Sequence, residues 1–162
     1  MAKISVPKVG QKAPDFELPD ADMKPHKLGD YRGKKTVLAF FPAAESPVCT
    51  AEMCTLRDSM DELRDYGAQV LGISVDGVWC HLAFAKIRNL RFPLLADFEP
   101  KGEVSRAYHA YRDGDGFSER ALFVLDPEGS VYWSYLSPVG VNPGADGILR
   151  ALEDMANRRT SP

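Results

Sequence analysis

The sequence predicts a three-layer α/β sandwich, a mixed central sheet with helices on both faces. Two observations predict it: apolar strand-like runs alternate with amphipathic helical stretches, and the alternation ends in a strand–turn–strand pair. A third is size, since 162 residues suit one domain, taken here as residues 1–162, with a core of its own.

Residues 6–30 read as a short hairpin or irregular arm, in which Phe16 and Leu18 alternate with Asp15 and Glu17 before a Pro19-Asp20 turn. Residues 35–41 (KTVLAFF) form a continuous apolar run, the pattern of a strand buried on both faces, and Pro42 ends it. Ser46-Pro47 has the form of a helix start, serine as N-cap and proline at the first helical position. Cys49, Met53, Leu56, Met60 and Leu63 then mark one apolar stripe of a helix running to Asp65, with Gly67 as its stop.

Residues 68–75 (AQVLGISV) are a second buried strand, followed by a helix over 78–89 on which Cys80, Ala83, Phe84 and Ile87 are the expected core stripe. A short strand at 92–96 and a short helix at 101–108 come next. Residues 121–126 and 131–135 pair across the turn Pro127-Glu128-Gly129, and a last helix spans 144–156. This order suits the thioredoxin-like arrangement. Trp79, Trp133 and Tyr135 are left for the core or for an interface, and a monomer and a homodimer both remain open.

The composition narrows the function. Hydrophobic content of 44%, charged content of 27% and a net charge of −3 are those of an ordinary globular domain, with no basic footprint for nucleic acid and no polybasic membrane patch. Residues 1–11 lack the apolar centre of a secretory signal, and no run approaches a membrane span. Three cysteines are too few for a secreted disulfide framework, so a cytoplasmic location is expected. His26, His81 and His109 are scattered and form no spaced cluster with the cysteines; each reads as an ordinary surface or partly buried residue. A metal and a cofactor are not expected.

The capping reading sets Cys49 in the first turn of its helix, beyond the carboxyl end of the first long strand, where α/β folds gather their chemistry. Unpaired N–H groups and the helix dipole lower a thiol's pKa there, and the thiolate is the nucleophile. Ser46 can turn its hydroxyl to the same pocket or cap the helix. A small apolar cysteine facing the core is the competing reading of Cys49.

Pro42-x-x-x-Ser46-x-x-Cys49 resembles the peroxiredoxin signature, with serine where threonine is commoner. The blocks FFPAAESPVCTAEMCTLRD, AQVLGISVD, FPLLAD and RALFVLDPEG extend the resemblance over residues 9–156. The chain looks closest to the bacterioferritin-comigratory-protein and one-cysteine AhpE-like branches. The resemblance implies a thiol-dependent peroxidase without metal, haem or flavin, in which Cys49 attacks hydrogen peroxide or an organic hydroperoxide and becomes a sulfenic acid. It makes Arg120 the active-site arginine, which would lower the Cys49 pKa and stabilise the leaving oxyanion. Glu52, one turn into the helix, would orient Arg120.

For the second half of the reaction, the resemblance offers Cys54 first, Cys80 second and an external thiol third, with thioredoxin or a small thiol as the electron donor. Five helical residues rise about 7.5 Å, whereas a disulfide needs Cα atoms within about 7 Å, so a Cys49–Cys54 bond requires local unwinding. Two rival readings remain: a thiol–disulfide oxidoreductase, which would want Cys-x-x-Cys, and a non-enzymatic peroxide sensor or holdase signalling through Cys49. A zinc module has the wrong spacing.

Overall fold

The computed structural model describes residues 7–160. Its elements are β1 (Glu17–Pro19), β2 (Pro25–Lys27), β3 (Lys35–Phe40), α1 (Pro47–Asp58), α2 (Met60–Asp65), β4 (Ala68–Ser74), α3 (Val78–Arg88), β5 (Leu94–Ala96), α4 (Glu103–Ala107), β6 (Tyr111–Arg112), β7 (Phe117–Ser118), β8 (Arg120–Leu125), β9 (Val131–Ser137) and α5 (Asp146–Thr160). The central sheet has the order β5-β4-β3-β8-β9. β3, β4 and β5 run parallel, while β8 and β9 are antiparallel additions, giving the mixed sheet expected.

Period-2 alternation sorts the β3 side chains between two cores. Val37, Ala39 and Phe41 face one apolar cluster with Met53, Leu56, Leu63, Phe84, Ile148 and Leu152, contributed by α1, α2, α3 and α5. Leu38 and Phe40 face another with Val104 and Tyr108, together with Phe16 and Leu18 of the N-terminal arm. Both faces carry helix, but unequally: short α4 shares its face with the β1–β2 hairpin.

Three details differ from the sequence reading. The long helix breaks at Ser59, whose hydroxyl donates to the Thr55 carbonyl 2.9 Å away, a back-bond that competes with regular helix. The β6–β7 hairpin is too short to leave a pattern in the sequence. The core stripe of α3 is shifted by one residue: His81 and Phe84 are buried, whereas Cys80 is exposed and Ile87 is 67% exposed. Cys80 is therefore not a core cysteine, and His81 is not a surface histidine. The hairpin, one of the two forms expected within 6–30, is present over Glu17–Lys27, and residue 6 lies outside the described residues.

Trp133 packs against α5, where a Cβ on Gly147 would come within 2.8 Å of the indole, while Trp79 and Tyr135 are exposed. No helix among the described residues is long and apolar enough to cross a membrane.

Candidate active site

β3 ends at Phe40, and the Phe41 N–H still donates to the Ile73 carbonyl of β4. Buried Pro42, which has no N–H to offer, then releases the chain from the sheet. The next residues are tied down from two sides. Asp76, just past β4, accepts the Ala44 N–H through Oδ2 at 2.8 Å. Glu45, held in the left-handed region at φ 66°, forms a two-point ion pair with Arg88 of α3 at 3.2 and 2.9 Å. That pair is solvent-exposed and so contributes little to stability, but it fixes direction.

Ser46 has the extended backbone of an N-cap, yet its hydroxyl donates to the Ala43 carbonyl at 2.8 Å and makes no capping bond. The expected cap is thus replaced by a bond that closes the loop on itself. The first backbone bond of α1 runs from the Thr50 N–H to the Ser46 carbonyl, so Cys49 lies in the opening turn. The unpaired N–H groups of that turn and the positive end of the helix dipole face the same region.

Cys49 is fully buried, and Arg120, the first residue of β8, is 2% exposed beside it. One guanidinium nitrogen, Nη1, donates to Cys49 Sγ at 3.2 Å and to Glu52 Oε1 at 2.9 Å. Nε and Nη2 both donate to the Val139 carbonyl, at 2.9 and 2.8 Å, which locks the plane of the fork. Four of the five guanidinium N–H groups are thereby committed, all but the second N–H of Nη2.

Glu52 is fully buried, and its other oxygen, Oε2, has no hydrogen-bond partner. Burial pushes its pKa up to about 7, against the opposing hydrogen bond and charge of Arg120. The structure therefore brings together Cys49, Glu52 and Arg120, with Pro42 and Ser46 in the segment that leads to them.

The sequence profile of the AhpC/TSA family matches residues 9–134. The chain belongs to the AhpC/TSA peroxiredoxin family. It is 31% identical over 156 residues to peroxiredoxin-1 of Gekko japonicus, covering 90% of this chain and 77% of that protein. It is 34% identical over 155 residues to a thioredoxin peroxidase of Echinococcus granulosus, covering 90% and 79%. Among solved structures, peroxidoxin BcpB of Mycobacterium tuberculosis superposes with a TM-score of 0.83 at 32% identity, covering 92% of this chain and 98% of that one. That likeness agrees with the bacterioferritin-comigratory-protein branch. As a peroxiredoxin, the protein is a thiol-dependent peroxidase that uses a peroxide and a thiol reductant.

The other two cysteines of this peroxiredoxin sit in opposite electrostatic surroundings. Cys54, half-buried on α1, lies within electrostatic reach of the Arg57 and Arg88 guanidinium groups. Cys80 has its thiol pushed up by partial burial, then by the negative charges of Asp76 and Glu45. A thiolate is disfavoured at Cys80.

Sequence reasoning missed the network behind the loop. Ser74 Oγ donates to Asp76 Oδ2 at 2.7 Å and lies 2.6 Å from Nε2 of buried His81. The serine proton being spent on Asp76, His81 must donate from Nε2, which leaves its buried Nδ1 as an unpartnered acceptor. Burial drops the His81 pKa to about 4, only partly offset by Asp76. The missed signal was register: reading the α3 stripe one residue later would have put His81 inside.

Proposed function

We propose that Cys49 is the peroxidatic nucleophile and that Cys54 resolves its oxidised form as an intramolecular disulfide. The observation that carries the first part is the 3.2 Å contact between Cys49 Sγ and Arg120 Nη1 in the opening turn of α1. The thiolate attacks the terminal oxygen of ROOH; an S–O bond forms, the O–O bond breaks with its electron pair going to RO⁻, and RO⁻ takes up a proton. Cys49 is left as the sulfenic acid. Arg120 holds the thiolate, and its free N–H meets the charge that develops on the leaving oxygen. Pro42 and Ser46 shape the loop over the sulfur. Hydrogen peroxide and small organic hydroperoxides fit this chemistry equally.

For resolution, the Cys54 thiolate attacks the Cys49 sulfur, the S–O bond breaks, and the hydroxide leaves as water after protonation. Cys54 is supported over Cys80 because Arg57 and Arg88 lie within electrostatic reach of it, whereas burial and the Asp76 and Glu45 carboxylates push the Cys80 thiol up. The bond requires the first turns of α1 to unwind, since both cysteines lie within one continuous helix. A dithiol then returns the two electrons. Thioredoxin is the donor favoured by the name of the Echinococcus relative, and a small thiol is second. A reducing cytoplasm supplies both.

The test is one equivalent of hydrogen peroxide added to reduced protein, followed by intact mass and fragment mapping without reductant. Loss of two hydrogens with Cys49 joined to Cys54 is the expected result. A Cys49–Cys80 link, or a stable added oxygen on Cys49, would remove Cys54 from the cycle. Full peroxidase turnover by Cys49→Ser would overturn the whole assignment.

A further inference from the structure

We propose that near neutral pH Cys49 and Glu52 share a single proton across the Arg120 guanidinium, so that Glu52 is neutral when Cys49 is a thiolate. This deepens the reading of Cys49 as the reactive cysteine and rests on it.

The geometry allows one negative charge and resists two. Both acceptors draw on the same nitrogen, Arg120 Nη1, and Cys49, Glu52 and Arg120 are all withdrawn from water. With both groups ionised, a buried site would hold two negative charges against one positive charge, which desolvation makes costly. With one ionised, the site is neutral overall. Glu52 Oε2 is also buried without a donor, an arrangement unfavourable for a carboxylate and suited to a carboxylic acid, whose proton it would carry.

Among the described residues, Arg120 is the charged group that acts on Glu52. Arg120 acts on Glu52 from β8, and Cys49 meets the same guanidinium from α1. From the segment after β9, the Val139 carbonyl accepts from Nε and Nη2. Burial raises the Glu52 pKa to about 7, so its carboxyl can hold a proton near neutral pH.

The arrangement closes the proton balance of the peroxide step. Cys49–S⁻, Glu52–COOH and ROOH become Cys49–SOH, Glu52–COO⁻ and ROH. The sulfur supplies the electron pair for the new S–O bond, the O–O pair leaves on RO⁻, and the proton that neutralises RO⁻ is the one Glu52 gives up. One negative charge faces Arg120 before and after. Glu52 thus acts on Cys49 through Arg120 and through charge, and it is the source of the proton that ROH keeps.

The test is the rate of iodoacetamide alkylation of Cys49 against pH, in a Cys54→Ser, Cys80→Ser background. No peroxide is involved, so the result stands apart from peroxidase turnover. With Glu52 present, thiolate formation should proceed in two steps, with a plateau near neutral pH and a second rise in alkali. Glu52→Gln should collapse it to one step, with alkylation about twofold faster on the plateau, because the pair no longer divides its charge. The same single step in both proteins would overturn the proposal. A second readout does not depend on how Glu52→Gln folds: the infrared carboxylic-acid band of Glu52. It should titrate at lower pH in Cys49→Ser than in the protein with Cys49, since coupling between two sites is reciprocal. An unmoved band would also overturn the proposal.

Discussion

Arg120 Nη1 stands 3.2 Å from Cys49 Sγ although 71 residues of chain separate them. β3 and β8 pair antiparallel with Phe40 opposite Ala121, so the residue that opens β8 arrives where β3 hands the chain to α1. Sheet register, rather than any local motif, delivers the guanidinium to the thiol. The fork is then held in plane by the Val139 carbonyl.

Arg120→Lys keeps a positive charge but loses the planar fork, and with it the simultaneous hold on Val139, Cys49 and Glu52. The peroxide step should slow by about 10²-fold, the usual effect of losing one preorganised donor at a developing oxyanion. Rapid-mixing kinetics with hydrogen peroxide would measure it. A rate within threefold of the parent would take Arg120 out of the chemistry.

Cys54→Ser should leave the first oxidation intact and stop the second. A single equivalent of peroxide should then leave a sulfenic acid on Cys49 that dimedone traps, where the parent protein yields little adduct. Turnover with thioredoxin should be lost while any turnover with a small thiol persists. Undiminished thioredoxin-dependent activity would mean that another thiol resolves Cys49.

His81 makes stability depend on acid. Its folded pKa is about 4 and its unfolded value is the ordinary one near 6.5, so the unfolded chain takes up a proton first as pH falls. The contribution is fully present above pH 6.5 and is lost as pH falls through about 4, on the order of 3 kcal/mol at most. His81→Gln keeps a donor for Ser74 without a titrating ring. Denaturant midpoints between pH 7 and 4 should fall less steeply in that variant; parallel curves would show that His81 does not couple to folding.

Asp76→Ala removes the acceptor for both the Ala44 N–H and the Ser74 hydroxyl. The loss should be about 1–3 kcal/mol of stability, set by the donors left without a partner. Hydrogen exchange should speed up at Ala44 while the amides of β3 stay protected. Unchanged exchange at Ala44 would show that the loop is held by its other contacts.

Much of this was legible in the chain. The apolar run over residues 35–41, the helix start at Ser46-Pro47 and the stripe through Leu63 specify a strand delivering Cys49 to a helix N-terminus, since burial on both faces and on one face leave different periods. The parallel β3–β4–β5 core and the β8–β9 hairpin followed from element order. Cys54 was readable as standing off the core stripe of its helix.

Other features came into being only with tertiary contact. Which face α3 turns inward was set by Phe41 and Ser74 accepting Phe84 and His81, a choice that one-residue shifts in a weakly amphipathic stretch do not reveal. The Ser46 hydroxyl chose the Ala43 carbonyl over the helix end because the loop was already bent by Asp76 and Arg88. The sharing of one guanidinium nitrogen between Cys49 and Glu52 is of the same kind. Periodicity records which side chains avoid water; it carries no information on which buried polar groups meet, because those meetings depend on register between strands distant in sequence.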